Sequence, residues 1–514
     1  MSSKPFYITT TLPYVNAPLH MGHALEFVRA DIIARYKMVM GFDVFFNTGT
    51  DEHGMKIYEA AAAAGMTPQE FVDAGFATFK DQLRQFGVTD NLHFIRTTDK
   101  HHEAAAQEFW KRVSDNGYIY KDTYRTKYCI GCEEAKTDSD LVNGECPLHP
   151  GKPIEFIDEE NYFFKYSAFT DKLIAFYESH PHFVIPDFRF NEVKEFVKQG
   201  LQDFSISRKK EKMPWGIPVP GDDDQVMYVW FDALTNYIST LGWGAPLLVE
   251  EGAGGGAELT DENSLPPPRP AGTPPQAGGD GGMFEKYWVR GNPTQYCGKD
   301  NNRFQSAMWQ AMLMAADLPN SHQIVINGFI MGGGGIRMSK TVGNVIDPRD
   351  IIAEFGADPF RLFMAKEISL FEDSPFTRER FLDAYNAHLA NGLGNLVSRT
   401  MNMIVSYDVD ISGITFPVFA DIAHPAYEAF EINRAVDAIW DEIRDLDLYI
   451  QHHEPFKKVK VDPSAAHDDL RHVAQGLARV SVLLTPIMPI TAETIAALIR
   501  EKKKPETPLF LRKE

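Results

Sequence analysis

The sequence predicts an α/β domain with a parallel sheet, interrupted by a small metal-binding insertion and followed by a bundle of helices. Strand-like and helix-like segments alternate up to about residue 115, and the same alternation resumes after about residue 215. Three of the four cysteines lie together between these two stretches. From about Phe376 onward, the apolar residues recur only with helical spacing, which predicts an antiparallel helical bundle.

Composition and charge restrict the possible functions. The 514 residues are too many for one core, so two or three domains are expected, and a hydrophobic content of 44% is enough to fill them. The chain has no basic, apolar leader and no apolar run of ~18 residues, which predicts a soluble, cytoplasmic protein with no membrane partner. The net charge of −20 disfavours indiscriminate nucleic-acid binding. Residues 189–212 and 457–460 can still form a local basic face, or simply solvated lysines.

The first strand and helix place two histidines at their junction. Residues 6–11 are β-prone, and apolar residues recur with helical spacing from His20 onward. His20 and His23 are therefore expected at a helix N-terminus, where free N–H groups and the helix dipole attract phosphate. Imidazoles there can donate hydrogen bonds to a phosphoryl group, and Gly22 would let adenine approach the backbone. The alternative is a pair of solvated capping groups.

A downstream basic segment suggests the opposite side of a nucleotide site. Arg337-Met338-Ser339-Lys340-Thr341 follows four consecutive glycines at 332–335. The glycines predict a flexible loop that brings Lys340 and Arg337 to the outer phosphates of ATP. Lysine would act there as a mobile point charge.

The clustered cysteines predict a zinc site. Cys129-Ile130-Gly131-Cys132 and Cys146-Pro147-Leu148-His149 each hold two residues between possible ligands, which is tetrahedral zinc spacing. Disulfides are disfavoured in a reducing cytosol, and three clustered cysteines leave one unpaired. One Zn²⁺ with four protein ligands would have no open position and should be structural. The alternative is a set of inert buried thiols, which is the expectation for Cys297.

The later elements of the α/β domain follow the same reasoning. Trp230, Ala233 and Tyr237 have the i, i+3, i+7 spacing of one helical face, which on spacing alone is more often core than a ligand wall. Residues 323–327 read as a late strand. The Gly-, Pro- and Ala-rich stretch at 252–282 cannot bury enough apolar surface to order itself, so it is expected to be a surface insertion.

Together, the two basic segments closely resemble the HIGH and KMSKS signatures of class I aminoacyl-tRNA synthetases, with Arg337 where lysine is usual. Three further segments, at 49–54, 215–220 and 232–237, look like the methionyl-tRNA synthetase family. The similarity spans nearly the whole chain. It implies a Rossmann-like catalytic domain and an α-helical anticodon-binding domain. The implied boundaries are 1–115 for the first catalytic half, 116–215 for the zinc-knuckle insertion, 216–330 for the second catalytic half, 331–375 for the KMSKS-like loop and stem-contact region, and 376–514 for the anticodon-binding domain.

The resemblance also implies an activity and its residues. L-Methionine would be activated with Mg-ATP to methionyl-adenylate and then transferred to the 3′ end of tRNA(Met), with no side-chain nucleophile. The implied catalytic residues are His20, His23, Arg337 and Lys340, which with Gly22 and Ser339 would bind ATP. The implied methionine pocket comprises Leu12, Tyr14, Asp51, Trp230, Ala233, Tyr237, Phe304 and Gln305.

Two of these pocket residues carry specific arguments. Asp51 would pair with the substrate ammonium, because a cation in a dry pocket requires a counter-charge; its alternative is a loop carboxylate that caps a turn. Gln305 stands where the family usually has histidine, and glutamine can still donate a hydrogen bond.

The C-terminal helices would read the CAU anticodon through Asn395, Arg399 and Phe456. Asn395 and Arg399 lie one helical turn apart, and an exposed polar pair is the alternative interpretation. Phe456 replaces the family's usual tryptophan with a smaller stacking surface. The chain ends soon after the last helix, which leaves no room for an appended oligonucleotide-binding barrel and predicts a monomer.

Three other functions compete with this one. A synthetase for leucine, isoleucine or valine would carry a larger editing insertion than the roughly hundred residues available here. A small-molecule nucleotidyltransferase would share the His-x-Gly-His segment but have no use for the helical domain. A tRNA-binding protein that has lost activation would not need His20, His23, Asp51 and Lys340.

Overall fold

The computed structural model describes residues 3–132, 134–136, 140–244, 282–336, 338 and 346–514. The strands are β1 Pro5–Thr9, β2 Asp43–Thr50, β3 Leu92–Arg96, β4 Ile119–Cys129, β5 Glu134–Lys136, β6 Ile154–Phe164, β7 Val184–Ile185, β8 Phe204–Ser205, β9 Ser207–Lys209, β10 Pro218–Val219, β11 Asp222–Met227, β12 Thr294–Gly298, β13 Gln323–Asn327, β14 Ile330–Met331 and β15 Ser374–Pro375.

The α-helices follow the same chain order. They are α1 Met21–Val39, α2 Met55–Ala63, α3 Pro68–Gln85, α4 Lys100–Asp115, α5 Thr170–Ser179, α6 Asp187–Lys198, α7 Val229–Leu234, α8 Asn236–Ser239, α9 Trp309–Ala315, α10 Pro348–Phe355, α11 Ala357–Lys366, α12 Arg378–Ala384, α13 Gly394–Ser406, α14 Phe419–Ile422, α15 Ile432–His453, α16 Pro455–Lys458, α17 Pro463–Leu484 and α18 Pro489–Arg500. Shorter 3₁₀ and π segments are Tyr166–Phe169, Phe284–Val289, Lys299–Asn301, Phe304–Met308, Gly333–Gly335, Tyr385–Leu393 and Pro425–Tyr427.

The central sheet is parallel, as the alternation of strands and helices predicts. Its strand order is β3-β2-β1-β12-β13-β7. Ile8 of β1 lies opposite Phe46 of β2 on one side and Thr294 of β12 on the other. The order reverses between β1 and β12, and in sheets of this kind the crevice beyond the carboxyl ends of such strands binds ligands. The residues that follow β1, β2 and β12 are therefore the candidates for a ligand site.

Local sequence explains the elements around this crevice. Residues 44–50 of β2 are buried without alternation, as expected for a strand covered on both faces. The predicted late strand at 323–327 is β13. Helix α3 starts at a capping box, in which Thr67 accepts a hydrogen bond from the Glu70 N–H and Glu70 reaches back to the Thr67 N–H.

Between α4 and α7 the chain forms antiparallel sheets. One has the order β5-β4-β6-β8 and the other β10-β11-β9. Strands β4 and β6 pair from Ile119 opposite Phe164 to Cys129 opposite Ile154. The cysteine cluster therefore lies at the outer end of a long two-stranded ribbon, which confirms the predicted insertion.

The two faces of the central sheet carry separate apolar cores. One core packs α1 and the sheet against α11 and the C-terminal helices. The other packs the opposite face against α4, the helices of the insertion, and α7 to α9.

The C-terminal region is helical, as predicted. Helices α15 and α17 pack together, and the apolar positions that predict them, among them Val436, Ile439, Leu470 and Val473, are buried. None of the described helices combines the length and hydropathy needed to cross a membrane. The predicted surface insertion at 252–282 lies outside the described residues except for its last residue.

A buried arginine joins the two regions. Arg361 of α11 forms a 2.7 Å ion pair with Asp31 of α1, and both side chains are fully buried. Its guanidinium also donates to the carbonyls of Gly87, Pro486 and Ile487 at 2.8 to 3.0 Å. The helix that begins at the histidine pair is thus tied directly to the loop between α17 and α18.

Candidate functional site

The histidine pair lies at the start of α1, beyond the carboxyl end of β1. His20 is the N-cap, and its Nδ1 accepts from the N–H groups of Gly22 at 3.1 Å and His23 at 3.3 Å. The His20 N–H in turn donates to His23 Nδ1 at 3.3 Å, and the two rings stack with centroids 3.7 Å apart. The capping alternative thus describes the geometry of the pair, and the two histidines lie at the helix N-terminus as predicted.

The electrostatics of this helix start favour an anion. Burial and the neighbouring His20 lower the pKa of His23 well below its usual value, so its imidazole is neutral. The N–H groups of Gly22 and His23 are occupied by His20 Nδ1, so the positive potential at this end of α1 comes from the helix dipole. An added Cβ at Gly22 would lie 3.0 Å from His20 Cε1, so a side chain there would push against the imidazole.

The second basic segment is only partly described. Arg337, Ser339 and Lys340 lie outside the described residues. The glycines before them form a turn in which the Gly332 N–H donates to the Ile336 carbonyl at 2.7 Å, and Gly334 and Gly335 adopt positive φ values of 72° and 74°. This turn requires glycine at both positions.

Asp51 lies directly after β2 and is 4% exposed. Its N–H donates to the Pro13 carbonyl at 3.0 Å, and Asp51 and Tyr14 form a parallel bridge beyond the ends of β1 and β2. The structure thus brings together Asp51 and Tyr14, two predicted pocket residues 37 positions apart. Leu12, a third, lies partly buried in the same segment after β1.

The residue after Asp51 fixes this segment. Glu52 is fully buried and accepts from Arg96 Nε at 2.8 Å and from the hydroxyls of Thr50 and Thr98. The Trp215 indole N–H donates to the Glu52 carbonyl at 2.6 Å. The backbone that carries Asp51 is therefore held from three directions.

A buried carboxylate shared by two histidines lies behind Asp51. Asp232 of α7 is 2.7 Å from His53 Nδ1 and 2.8 Å from His102 Nε2, and His102 Nδ1 is 2.8 Å from Ser239 Oγ. Burial alone would raise the pKa of Asp232, but the two histidines hold it below the usual value. Burial alone would lower the pKa of His53, but Asp232 raises it. Sequence reasoning missed this cluster because its members lie up to 186 residues apart.

The predicted aromatic wall is assembled from two segments. Trp230 of α7 stacks on Phe304 with ring centroids 4.0 Å apart and an interplanar angle of 4°. Gln305 Nε2 donates to the Tyr237 hydroxyl at 2.6 Å, and Ala233 is 7% exposed. The predicted single helical face is divided between α7 and α8, because Thr235 is a turn residue. Two contacts therefore join four of the five residues in pairs, Trp230 with Phe304 and Tyr237 with Gln305.

Glu26 is a second residue that sequence reasoning missed. It lies one turn after His23 on α1, and its Oε1 accepts from the N–H and the hydroxyl of Thr11 at 2.7 and 2.6 Å. Burial, opposed by the Thr11 bonds, raises the pKa of Glu26 to about 8. This carboxyl is therefore mostly protonated at neutral pH.

The predicted zinc ligands converge at the end of the ribbon. The nitrogen or sulfur atoms of Cys129, Cys132, Cys146 and His149 all lie within 4.8 Å of one another. Cys132 Sγ is 3.4 Å from Cys146 Sγ and 3.3 Å from His149 Nδ1. A tetrahedral ion with bonds of about 2.3 Å needs ligand separations of about 3.8 Å, so these four atoms fit Zn²⁺.

Gly131 shows why the ligand loop needs a small residue. A Cβ added there would lie 2.3 Å from His149 Cγ, so any side chain would displace the imidazole. The cysteines form no disulfide. Cys297, in contrast, is fully buried in β12, which agrees with its expected role as a structural thiol.

The predicted anticodon residues lie on α13 and α16. Asn395 is exposed on α13, and Arg399, one turn later, is 3.6 Å from Asp447 of α15. Phe456 lies in α16, directly after α15, and is 42% exposed. An exposed aromatic and a partly exposed guanidinium are thus both present in the helical region.

A family model decides the relationship of this chain to known proteins. The model described as tRNA synthetases class I (M) matches residues 6–152 and 149–401. The chain belongs to this family. The matched ranges contain both halves of the parallel sheet and the ligand cluster between them, so the family assignment and the fold agree.

Full-length relatives and solved structures give the same assignment. A methionine–tRNA ligase of Thermotoga maritima is 36% identical over 97% of this chain and 76% of its own length. One from Mesorhizobium japonicum is 36% identical over 97% of this chain and 92% of its own length. The Mycobacterium tuberculosis methionyl-tRNA synthetase in complex with methionyl-adenylate superimposes with a TM-score of 0.81 and 33% identity, covering 96% of this chain and 94% of that chain.

Proposed function

We propose that this chain is a methionine–tRNA ligase that activates L-methionine with ATP and transfers it to the 3′ end of tRNA(Met). The observation that carries the proposal is the position of the His20–His23 helix start and the buried Asp51 in the segments that follow the neighbouring strands β1 and β2, and the Trp230–Phe304 stack supports it. An anion site, a counter-charge for an ammonium and an aromatic wall suit ATP and a thioether amino acid together.

The activation step needs positioning more than covalent catalysis. The methionine carboxylate attacks the α-phosphate, and pyrophosphate leaves in line. The helix dipole at the start of α1 and the side chains of His20 and His23 stabilise charge on the phosphates, while Gly22 leaves room for the nucleotide. We assign Arg337, Ser339 and Lys340 to the binding of ATP as well, with the two basic side chains on its outer phosphates. Mg²⁺ bound with ATP would neutralise phosphate charge.

The amino acid lies against the opposite wall of the crevice. Asp51 pairs with its ammonium group, because the buried carboxylate supplies the charge that a dry cation requires. Leu12, Tyr14, Trp230, Ala233, Tyr237, Phe304 and Gln305 surround its side chain.

Zn²⁺ would be held by Cys129, Cys132, Cys146 and His149, in a structural role. All four positions are filled by protein atoms, so no position is open for substrate. Held in this way, the four residues would be cross-linked at the outer end of the β4–β6 ribbon.

The domain boundaries and the anticodon-binding residues are assigned on the same basis, from the family to which the chain belongs. We place the catalytic halves at 1–115 and 216–330, the insertion at 116–215, the KMSKS-like loop at 331–375 and the anticodon-binding domain at 376–514. Asn395, Arg399 and Phe456 contact the anticodon bases.

The unpaired thiols favour the cytoplasm, where cysteines stay reduced. We assign a monomer, which sedimentation velocity checks.

Amino-acid-dependent exchange of pyrophosphate into ATP tests this proposal. Each of the twenty amino acids is offered in turn, and only methionine should support exchange. The Asp51→Asn variant should lose most of this activity, whereas the matched Asp223→Asn change at an exposed position should not. Faster exchange with leucine or isoleucine would reassign the substrate, and tRNA binding without any exchange would show a binding protein.

A further inference from the structure

Four buried polar side chains form a hydrogen-bond chain that ends on Tyr237. Gln305, Gln295, Ser321 and Gln310 are 1%, 1%, 3% and 0% exposed. They come from β12, the π segment after it, α9 and the loop before β13. The chain therefore runs through the protein interior behind the aromatic wall.

Two backbone groups fix the direction of this chain. The Ser321 N–H donates to Gln310 Oε1 at 3.0 Å, and Gln310 Nε2 donates to the Gln305 carbonyl at 2.8 Å. A backbone N–H can only donate and a carbonyl can only accept. The Gln310 amide therefore has one permitted orientation.

The orientation passes from one side chain to the next. Gln310 Nε2 also donates to Ser321 Oγ at 3.1 Å, so the Ser321 hydroxyl directs its proton to Gln295 Oε1 at 2.5 Å. Gln295 Nε2 then donates to Gln305 Oε1 at 3.0 Å. The remaining end of Gln305 is its NH₂ group, which donates to the Tyr237 hydroxyl at 2.6 Å. Reversing Gln305 would set two donors against each other at Gln295.

The consequence falls on the hydroxyl proton of Tyr237. Within the described part of the chain, the one hydrogen bond of this hydroxyl is the one that it accepts from Gln305. Its proton is therefore directed to an acceptor other than Gln305. Burial raises the pKa of Tyr237 well above its usual value, so the proton is retained across the physiological pH range.

We propose that the Gln310–Ser321–Gln295–Gln305 chain makes Tyr237 an obligatory hydrogen-bond donor to the amino-acid side chain, and thereby selects a thioether over an isosteric hydrocarbon such as that of L-norleucine. The inference rests on the proposed function. Gln305 acts here as a positioning residue through Tyr237. A histidine in its place can present either a donor or an acceptor, depending on its tautomer, whereas this glutamine presents only its donor.

The test measures kcat/KM in pyrophosphate exchange for L-methionine and for L-norleucine, and takes their ratio. Gln305→Leu removes the donor with little change in volume, and Ser321→Ala breaks the chain two hydrogen bonds away from Tyr237. Both changes should lower the methionine-to-norleucine ratio by roughly two- to tenfold, the value of one net hydrogen bond, with the KM for ATP unchanged. Tyr237→Phe, which lacks the hydroxyl, should give the lowest methionine-to-norleucine ratio.

A matched control separates orientation from packing. Ser306 is fully buried, adjoins Gln305 and donates to Asn302 Oδ1 at 2.7 Å outside this chain. Ser306→Ala should therefore leave the ratio unchanged. A ratio within 1.5-fold of wild type in Gln305→Leu, roughly the error of such assays, overturns the proposal even if both kcat/KM values fall. If Gln305→Leu does not fold, Ser321→Ala decides by the same criterion. Wild-type protein that fails to use methionine would refute the proposed function instead.

Discussion

Two pairs of histidines lie beyond the ends of neighbouring strands, and their surroundings are opposite. His20 and His23 stack on each other at the start of α1, with His20 exposed and His23 partly exposed. His53 and His102 are buried, and both contact the carboxylate of Asp232. The first pair is thus accessible to a ligand, whereas the second pair is already bonded to groups within the protein. We call the first the open pair and the second the closed pair.

This difference predicts which property each pair controls. A group whose partners lie within the protein contributes to stability, since removing one partner leaves the others buried without a hydrogen bond. A group that faces the crevice contributes to substrate binding and catalysis, and its removal leaves little unsatisfied. Four experiments test whether this division holds, beginning with the largest effect.

Removing the carboxylate of the closed pair should have the largest effect on stability. Asp232→Ala should lower the free energy of unfolding by roughly 3 to 5 kcal/mol, because His53 and His102 both lose their buried partner. Urea denaturation at pH 6 measures this, with the exposed Asp223→Ala as the control. A loss below about 1 kcal/mol would mean that the cluster is not a folding determinant.

The same variant also tests how the free energy of unfolding depends on pH. The lowered pKa of Asp232 gives a stabilisation that is lost as the pH falls below about 4, and the raised pKa of His53 gives one that is lost as the pH rises through and beyond about 6.5. The stability difference between wild type and Asp232→Ala should therefore be largest between these values. An advantage that grows above pH 8 would contradict the assignment.

The open pair should show the reverse pattern. His23→Ala should lower the rate of methionine-dependent exchange by roughly 10² or more, if His23 stabilises charge in the transition state. Lys340→Ala should do the same from the opposite side. Their free energies of unfolding should change by less than about 1 kcal/mol. The exposed His452→Ala is the control, and wild-type rates in His23→Ala would make His23 a capping residue alone.

Phe456 extends the comparison to the helical domain. Its ring is 42% exposed, so it belongs to the open class. Base stacking on an aromatic contributes ~1 to 3 kcal/mol, so Phe456→Ala should slow aminoacylation of tRNA(Met) roughly ten- to a hundredfold. Exchange measured without tRNA should stay near wild type. An equal fall in both activities would make Phe456 a packing residue.

The zinc ligands belong to the closed class, and their removal should have the smallest direct effect on activation. Elemental analysis should find one Zn²⁺ per chain, and Cys146→Ser should weaken its retention. Hydrogen exchange should then rise first along the β4–β6 ribbon, with only an indirect fall in activity. Protein purified without chelator that contains no metal would remove the site.

The predictability of each site follows from how far apart its residues lie. The predicted zinc ligands lie within 21 residues and the histidine pair within four, so local spacing indicated the metal cluster and the position of the histidines at a helix start. The role of the histidines in ATP binding needed the downstream basic segment and the resemblance. The strand at 323–327 was equally local. The aromatic wall needed a resemblance, since nothing in the sequence around Trp230 indicates that it stacks on Phe304.

The closed clusters were not predictable for the same reason. Asp232 contacts His53 and His102 across 179 and 130 positions, and a lone aspartate in an apolar helix gives no sign of either partner. Glu26 has the pattern of an ordinary helix residue, and it is chiefly burial in the folded chain, opposed by the hydrogen bonds from Thr11, that raises its pKa to about 8. The orientation of Gln305 is set by backbone groups at Ser321 and at its own carbonyl.

The buried Arg361 makes the catalytic and helical regions one unit of evolution as well as of folding. Its guanidinium is neutralised by Asp31 and satisfied by the carbonyls of Pro486 and Ile487, which lie near the opposite end of the chain. A gene that lost the C-terminal helices would leave this cation without two acceptors in an apolar interior. The helical region therefore cannot be lost or exchanged as an independent domain unless Arg361 is substituted at the same time.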